Sequence, residues 1–313
     1  MGTAIAVTII ILAVLAAGLA AAGLYFYRVA IARNKKAVLE RSPDLDDFGA
    51  RRPDEAAEWA RRQPWEYVAV KSRDGLALHG YYLEADEPSN RTVILAHGYS
   101  GEAMSNMRSL ARFYREKLGY CVLMPDARGH GRSEGGYIGF GWPEREDYLE
   151  WIDYAVGRQG TDCRIVLHGV SMGGATVLMT SGERLPGQVK AVVSDCAYTS
   201  AVDILSYQLK RLYKLPAFPL VPVTSLVCRI RAGYSFYEAS ALRQVARAKT
   251  PILFIHGDAD TFVPFGMVRR LYDECASEKE LLVVPDAGHG LAYSADPEGY
   301  ESAVRRFLRR HAG

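Results

Sequence analysis

The chain has 313 residues, 49% of them hydrophobic and 24% charged, and its 38 Lys and Arg against 36 Asp and Glu leave a net charge of +2. This composition excludes a largely disordered, collagen-like or coiled-coil chain, and it is too neutral for nucleic acid to be the main partner. The five cysteines, Cys121, Cys163, Cys196, Cys228 and Cys275, have neither CxxC nor Cys/His ligand spacing. They argue for buried reduced thiols and against a disulfide framework or a zinc site.

The first element is an apolar run. No residue from 3 to 27 is charged, and at 1.5 Å per residue the run makes about 37 Å of helix, enough to cross a hydrocarbon core of about 30 Å. A transmembrane anchor is therefore predicted over residues 1–28, with Tyr25, Phe26 and Tyr27 at the membrane surface. A cleaved signal peptide is the competing reading. It needs a basic segment ahead of a shorter apolar stretch, and no Lys or Arg precedes the run, although Ala20 to Gly23 resembles a cleavage site. Arg28, Arg33, Lys35, Lys36 and Arg41 follow the span and, by the positive-inside rule, place the rest of the chain in the cytoplasm. Residues 29–65 read as a basic flank and linker, with a short helix between Pro53 and Pro64.

Beyond residue 65 the period changes. Segments 66–72 and 76–84 alternate around Asp74-Gly75, a hairpin signal. Short apolar runs at 93–96, 121–124, 165–167, 189–193, 252–255 and 281–284 then suit strands buried on both faces. Helical patterns separate most of them, as in 144–156, where Tyr148, Trp151, Ile152 and Ala155 share one face. The expectation is an α/β fold with an eight-stranded, mostly parallel sheet flanked by helices. The catalytic domain is expected over 66–196 and 249–313, interrupted by a lid insert at 197–248. Leu205, Leu209 and Leu212 form an amphipathic stretch in that insert, followed by Pro216, Pro219 and Pro222.

Active sites of such sheets gather at the carboxyl ends of strands. After the run 165–167 comes Gly169-Val170-Ser171-Met172-Gly173, a G-x-S-x-G pattern. It suits a sharp strand-to-helix turn that holds the Ser171 hydroxyl in the open and points the Met172 N–H at an oxyanion. After the run 252–255 come Asp258 and Asp260, and after the last strand Gly288-His289. In that chain order His289 would take the Ser171 proton, and Asp260 would fix the imidazole tautomer. Asp258 and Asp195 are the other candidate acids; otherwise Asp258 caps its turn and Asp195 pairs with a lid arginine. The Tyr99 N–H, in the loop His97-Gly98-Tyr99-Ser100-Gly101, is the second expected oxyanion donor. His97 reads as a brace of that loop and not as a catalytic group. In the loop 126–133 Asp126 and Arg128 are expected to pair; a phosphate cradle is disfavoured because no Lys-Ser/Thr follows the glycines.

With these motifs the chain resembles the α/β-hydrolase superfamily over about residues 66 to 311. Within it, the chain is similar to serine aminopeptidase-like and prolyl-oligopeptidase-like hydrolases and to single-pass membrane-anchored members. The resemblance rests on His97-Gly98-x-x-Gly101, Asp126-x-Arg128-Gly129-x-Gly131-x-Ser133, Gly169-x-Ser171-x-Gly173, His256-Gly257-x-x-Asp260-x-x-Val263-Pro264 and Gly288-His289. It implies a Ser171–His289–Asp260 triad without a metal or organic cofactor. It leaves the substrate open among esters, thioesters and peptides.

A carboxylic ester with an acyl or lipid-like group is the expected substrate. The insert adds Lys210, Arg211, Lys214, Arg229, Arg231, Arg243, Arg247 and Lys249 against Asp203 and Glu238, with tyrosines and phenylalanines between. Such a face suits anionic lipid or an acidic substrate tail, or it is a solvated surface paired with the acidic body. The rival functions are a serine peptidase for small peptides and a non-catalytic membrane scaffold.

Overall fold

The computed structural model describes residues 2–33, 55–99 and 101–313. The expected basic residues Lys35, Lys36 and Arg41, and the helix-opening Pro53, lie outside them. Eight strands form one sheet: β1 (Glu66–Lys71), β2 (Ala77–Leu83), β3 (Arg91–Ala96), β4 (Cys121–Pro125), β5 (Arg164–Val170), β6 (Val189–Asp195), β7 (Ile252–Gly257) and β8 (Lys279–Val284). Their order is β1-β2-β4-β3-β5-β6-β7-β8. β2 pairs antiparallel with β1 and with β4, and every other pairing is parallel. The first hairpin closes through Gly75, at φ 93°, whose N–H donates to Ser72 O at 2.9 Å.

The central strands are apolar on both faces because helices cover both. Ile94, Leu123, Leu167 and Phe254 point into a core shared with the helices Glu144–Gln159 and Met172–Ser181. Val93, Val122, Val166 and Leu253, one residue out of phase, meet Tyr300, Val304 and Phe307 of the helix Pro297–His311. All five cysteines are buried and unbridged.

Between β6 and β7 the insert folds as the helices Ala201–Tyr213, Leu220–Ala232 and Ala241–Val245. Ser200 caps the first, its Oγ accepting the Asp203 N–H at 3.0 Å.

The amino-terminal helix Gly2–Phe26 continues as one turn of π-helix to Ile31. Its first part is exposed, but Tyr27 and Ile31 are buried in the same core as the sheet. Residues 29–33, expected to open a linker, thus belong to the body. Ile31 O accepts the Ile138 N–H at 2.8 Å, and the Arg33 N–H donates to Gly136 O at 2.9 Å. The helix before Pro64 spans Glu55–Arg62 and buries Trp59 and Ala60, so it too rests on the body.

Candidate active site

Ser171 follows β5 directly and starts the next helix with φ 58° and ψ −117°, a conformation that L residues rarely adopt. Two close approaches hold the turn. A Cβ at Gly169 would lie 2.1 Å from Gly173 O, and one at Gly173 would lie 2.0 Å from Ala96 O. Glycine at both positions lets helix and strand meet, and the meeting forces the Ser171 side chain outward.

The loops after β7 and β8 bring two partners to this hydroxyl. His289 Nε2 is 2.8 Å from Ser171 Oγ, and His289 Nδ1 is 2.8 Å from Asp260 Oδ2. All three residues are buried. The other carboxylate oxygen of Asp260 accepts the N–H groups of Phe262 at 2.9 Å and Val263 at 2.8 Å. Burial pushes the Asp260 carboxyl up, but hydrogen bonds from His256 and His289 outweigh it and hold the group down to about 2. As a carboxylate it can only accept, so His289 Nδ1 donates to it and Nε2 accepts the Ser171 proton. The Phe262 ring covers the imidazole at 4.8 Å between centroids.

The other candidate acids lie elsewhere. Asp258 Oδ1 accepts the Asp286 N–H at 2.7 Å, so it ties the loop after β7 to the loop after β8 and does not cap its own turn as expected. Asp195 accepts a hydrogen bond from the Tyr300 hydroxyl at 3.1 Å, so the expected lid-arginine partner is corrected to a buried phenol. Burial pushes its carboxyl up to about 6. His97 braces its loop: its Nδ1 donates to Gly98 O at 2.8 Å, and its Nε2 accepts the Ala127 N–H at 2.9 Å. The expected Asp126–Arg128 pair is also corrected. Arg128 makes a two-pronged contact with Asp147 at 2.6 and 2.7 Å and reaches Asp74 at 2.8 Å. Asp126 instead accepts the N–H groups of Ala103 and Arg132. The planar guanidinium finds its matching fork on the neighbouring helix, and that leaves Asp126 free to gather main-chain donors.

Tyr99 lines the same cavity as Ser171, and Met172 follows the serine directly. The Gly98 backbone runs beside Ser171, where a Cβ on it would sit 3.6 Å from the serine Cβ, and Met172 is the first residue of the helix. Sequence reasoning quoted His256 within a motif but gave it no role; its Nε2 lies 3.1 Å from Asp260 Oδ2 and 2.9 Å from Val263 O. Its position four residues before Asp260 was the available signal.

Cys196, Asp260 and His289 also bring one possible ligand atom each within 4.8 Å of one another. Burial pushes the Cys196 thiol well above its ordinary 9.0, which keeps it protonated. A metal ligand would have to be a thiolate, so the group fits a metal poorly.

Ser171 opens onto a cavity of about 520 Å³ walled by Tyr99, Phe140, Tyr198, Leu205, Leu209 and Phe236 among others. No carboxylate is among the described residues that line it. Tyr25, Phe26, Val29 and Ala30 also line it, which sequence reasoning had left at the membrane surface or in the flank.

Comparison with known proteins agrees with this architecture. Residues 93–303 match the model of the alpha/beta hydrolase family. The uncharacterized protein YqkD of Bacillus subtilis is 28% identical over 239 residues, which are 76% of this chain and 77% of that protein. An uncharacterized membrane protein of Saccharomyces cerevisiae is 25% identical over 255 residues, 80% of this chain and 81% of its own. Among solved structures, an esterase of Pyrococcus furiosus superposes with a TM-score of 0.66 at 27% identity, covering 85% of this chain and 96% of that one. The chain belongs to the alpha/beta hydrolase family, and its sheet with flanking helices is an α/β-hydrolase fold.

Proposed function

We propose that this hydrolase is a membrane-anchored serine esterase acting on an acyl-bearing ester. The observation that carries the reading is the hydrogen-bonded chain from Asp260 through His289 to Ser171, both links 2.8 Å long, at the mouth of an apolar cavity. Ser171 Oγ attacks the ester carbonyl carbon while its proton passes to His289 Nε2. The carbonyl oxygen becomes an oxyanion held by the N–H groups of Met172 and Tyr99. Collapse breaks the bond to the alcohol, which leaves with the proton from His289, and the acyl group stays on Ser171. Water then gives a proton to His289 and adds to the acyl carbon. The acid departs, and the proton returns to Ser171 Oγ.

The Gly2–Phe26 helix supports the anchor, and the yeast relative named as a membrane protein agrees with it. Residues 197–248 act as the lid, their basic face toward anionic lipid headgroups, and the catalytic domain lies on the cytoplasmic side. A peptidase for free amino ends would need a carboxylate to hold the substrate ammonium, and the described cavity wall lacks one.

A fluorophosphonate probe tests the reading and separates an enzyme from a scaffold. The full chain should label, and Ser171→Ala should not. An unlabelled wild-type chain, or labelling that survives in Ser171→Ala, rejects it.

A further inference from the structure

The amino-terminal helix divides into a free part and a docked part. Gly2–Gly18 are exposed throughout, and Gly23 is the first buried residue of the helix. The residues ahead of Gly23 therefore span about 31 Å at 1.5 Å per residue, which matches one hydrocarbon core. At Gly23 the helix meets the insert helix Leu220–Ala232: a Cβ there would come 2.7 Å from Val223 Cγ1 and 3.3 Å from Val227 Cγ2. One turn later Tyr27 is buried, 5.9 Å from the Arg231 guanidinium. The Arg33 guanidinium then donates to the Gly131 and Ser133 carbonyls, both at 2.8 Å. The helix thus enters the body through a fixed joint, and the end of its free stretch sets the membrane surface at about Gly23.

Between these attachments the docked turn walls the cavity. Phe26, Val29 and Ala30 line the same space as Ser171, and the Phe26 ring meets Tyr213 edge-on at 5.3 Å. The Tyr99 hydroxyl donates to Ala30 O at 2.6 Å, which ties the docked turn to the loop flanking the serine. The insert helix runs parallel to the membrane helix, since residues 23 and 27 meet 223 and 231 in that order. Its leading end therefore faces the bilayer, and just ahead of it Phe218 is 79% exposed beside half-exposed Leu215. An exposed phenyl and leucyl group at that level suit immersion in lipid.

We propose that the membrane helix is a wall of the substrate site as well as a tether. The substrate is then a bilayer-resident lipid ester whose acyl chain passes from the membrane along Phe26, Val29 and Ala30 to Ser171. Lipid tails are as apolar as the cavity, so the chain gains little by the transfer itself. On this proposal the chain follows the docked turn, whose Arg28 also lies in the cavity wall, from the membrane to Ser171. This inference rests on the serine-esterase reading above.

The test uses the full chain in phosphatidylcholine vesicles and a long-chain alkyl fluorophosphonate with a diazirine at mid-chain, the part that would lie beside the docked turn. After labelling and irradiation, mass spectrometry should find the probe bridging Ser171 to a residue between 25 and 31. Labelled Ser171 with no adduct on that segment overturns the inference and leaves the esterase reading intact. No labelling at all overturns both. Independently, Ala30→Trp should narrow the route beside Tyr99. The ratio of kcat/KM for p-nitrophenyl laurate to that for p-nitrophenyl acetate should fall about tenfold or more, and an unchanged ratio counts against the route.

Discussion

Asp260 gathers four donors on two oxygens, and this explains why it and not its neighbour serves His289. With its pKa held near 2 against an ordinary 3.8, it favours the folded chain at every pH above 3.8, and that contribution fades as pH falls through about 2. In the proposed mechanism Asp260→Asn loses the acceptor that fixes the tautomer, and kcat on p-nitrophenyl acetate should drop by about 10³–10⁴-fold. Asp258→Asn, whose amide oxygen can still accept the Asp286 N–H of the loop after β8, should stay within a few-fold of wild type. Equal losses in the two variants would move the acid elsewhere. Asp195 behaves in the opposite way. Its buried carboxyl titrates at about 6 instead of 3.8, so the folded state binds the proton more tightly than the unfolded one. The penalty is absent below 3.8, grows as pH rises and is complete above about 6, amounting to at most about 3 kcal/mol. Thermal midpoints should therefore fall less between pH 5 and pH 7.5 in Asp195→Asn than in wild type. An identical fall would contradict the assignment.

Ser171, Asp260 and His289 were legible as residues because each follows an apolar strand within a short, glycine-marked motif, so local sequence fixes where each side chain emerges. The Arg128 pairing was not, because Asp147 comes from a helix whose placement depends on the whole sheet. The same contrast holds for the elements. All eight strands were legible, β1 and β2 as an alternating hairpin and the other six as apolar runs, since burial on both faces of the central strands leaves little room for polar positions. The docking of residues 23–33 was invisible, because its partners lie about a hundred and two hundred residues further on. Ile31 illustrates what that docking contributes: it is fully buried, and its carbonyl extends the main-chain pairing to Ile138. Ile31→Ala should destabilise the full chain by about 2–4 kcal/mol, read from denaturant unfolding in detergent. A loss below about 0.5 kcal/mol would mean that the joint is loose.

For the whole molecule, the proposed anchor seats the long exposed apolar helix in lipid and the folded body at its surface. Every residue of the first turns that lies in water exposes apolar area, as Ile5, Val7, Ile9 and Leu12 do here. The full chain should therefore stay in the membrane pellet after alkaline carbonate extraction and retain its original amino terminus. Release into the supernatant, or a terminus beyond residue 20, would contradict the anchor. The account as a whole turns on whether the Ser171 oxygen becomes acylated during turnover. Acid quenching of the enzyme during hydrolysis of a p-nitrophenyl ester, followed by peptide mass analysis, measures this directly. The account predicts an added acyl mass on Ser171 that is absent from Ser171→Ala; turnover with no such adduct, or with the adduct on another residue, would contradict it.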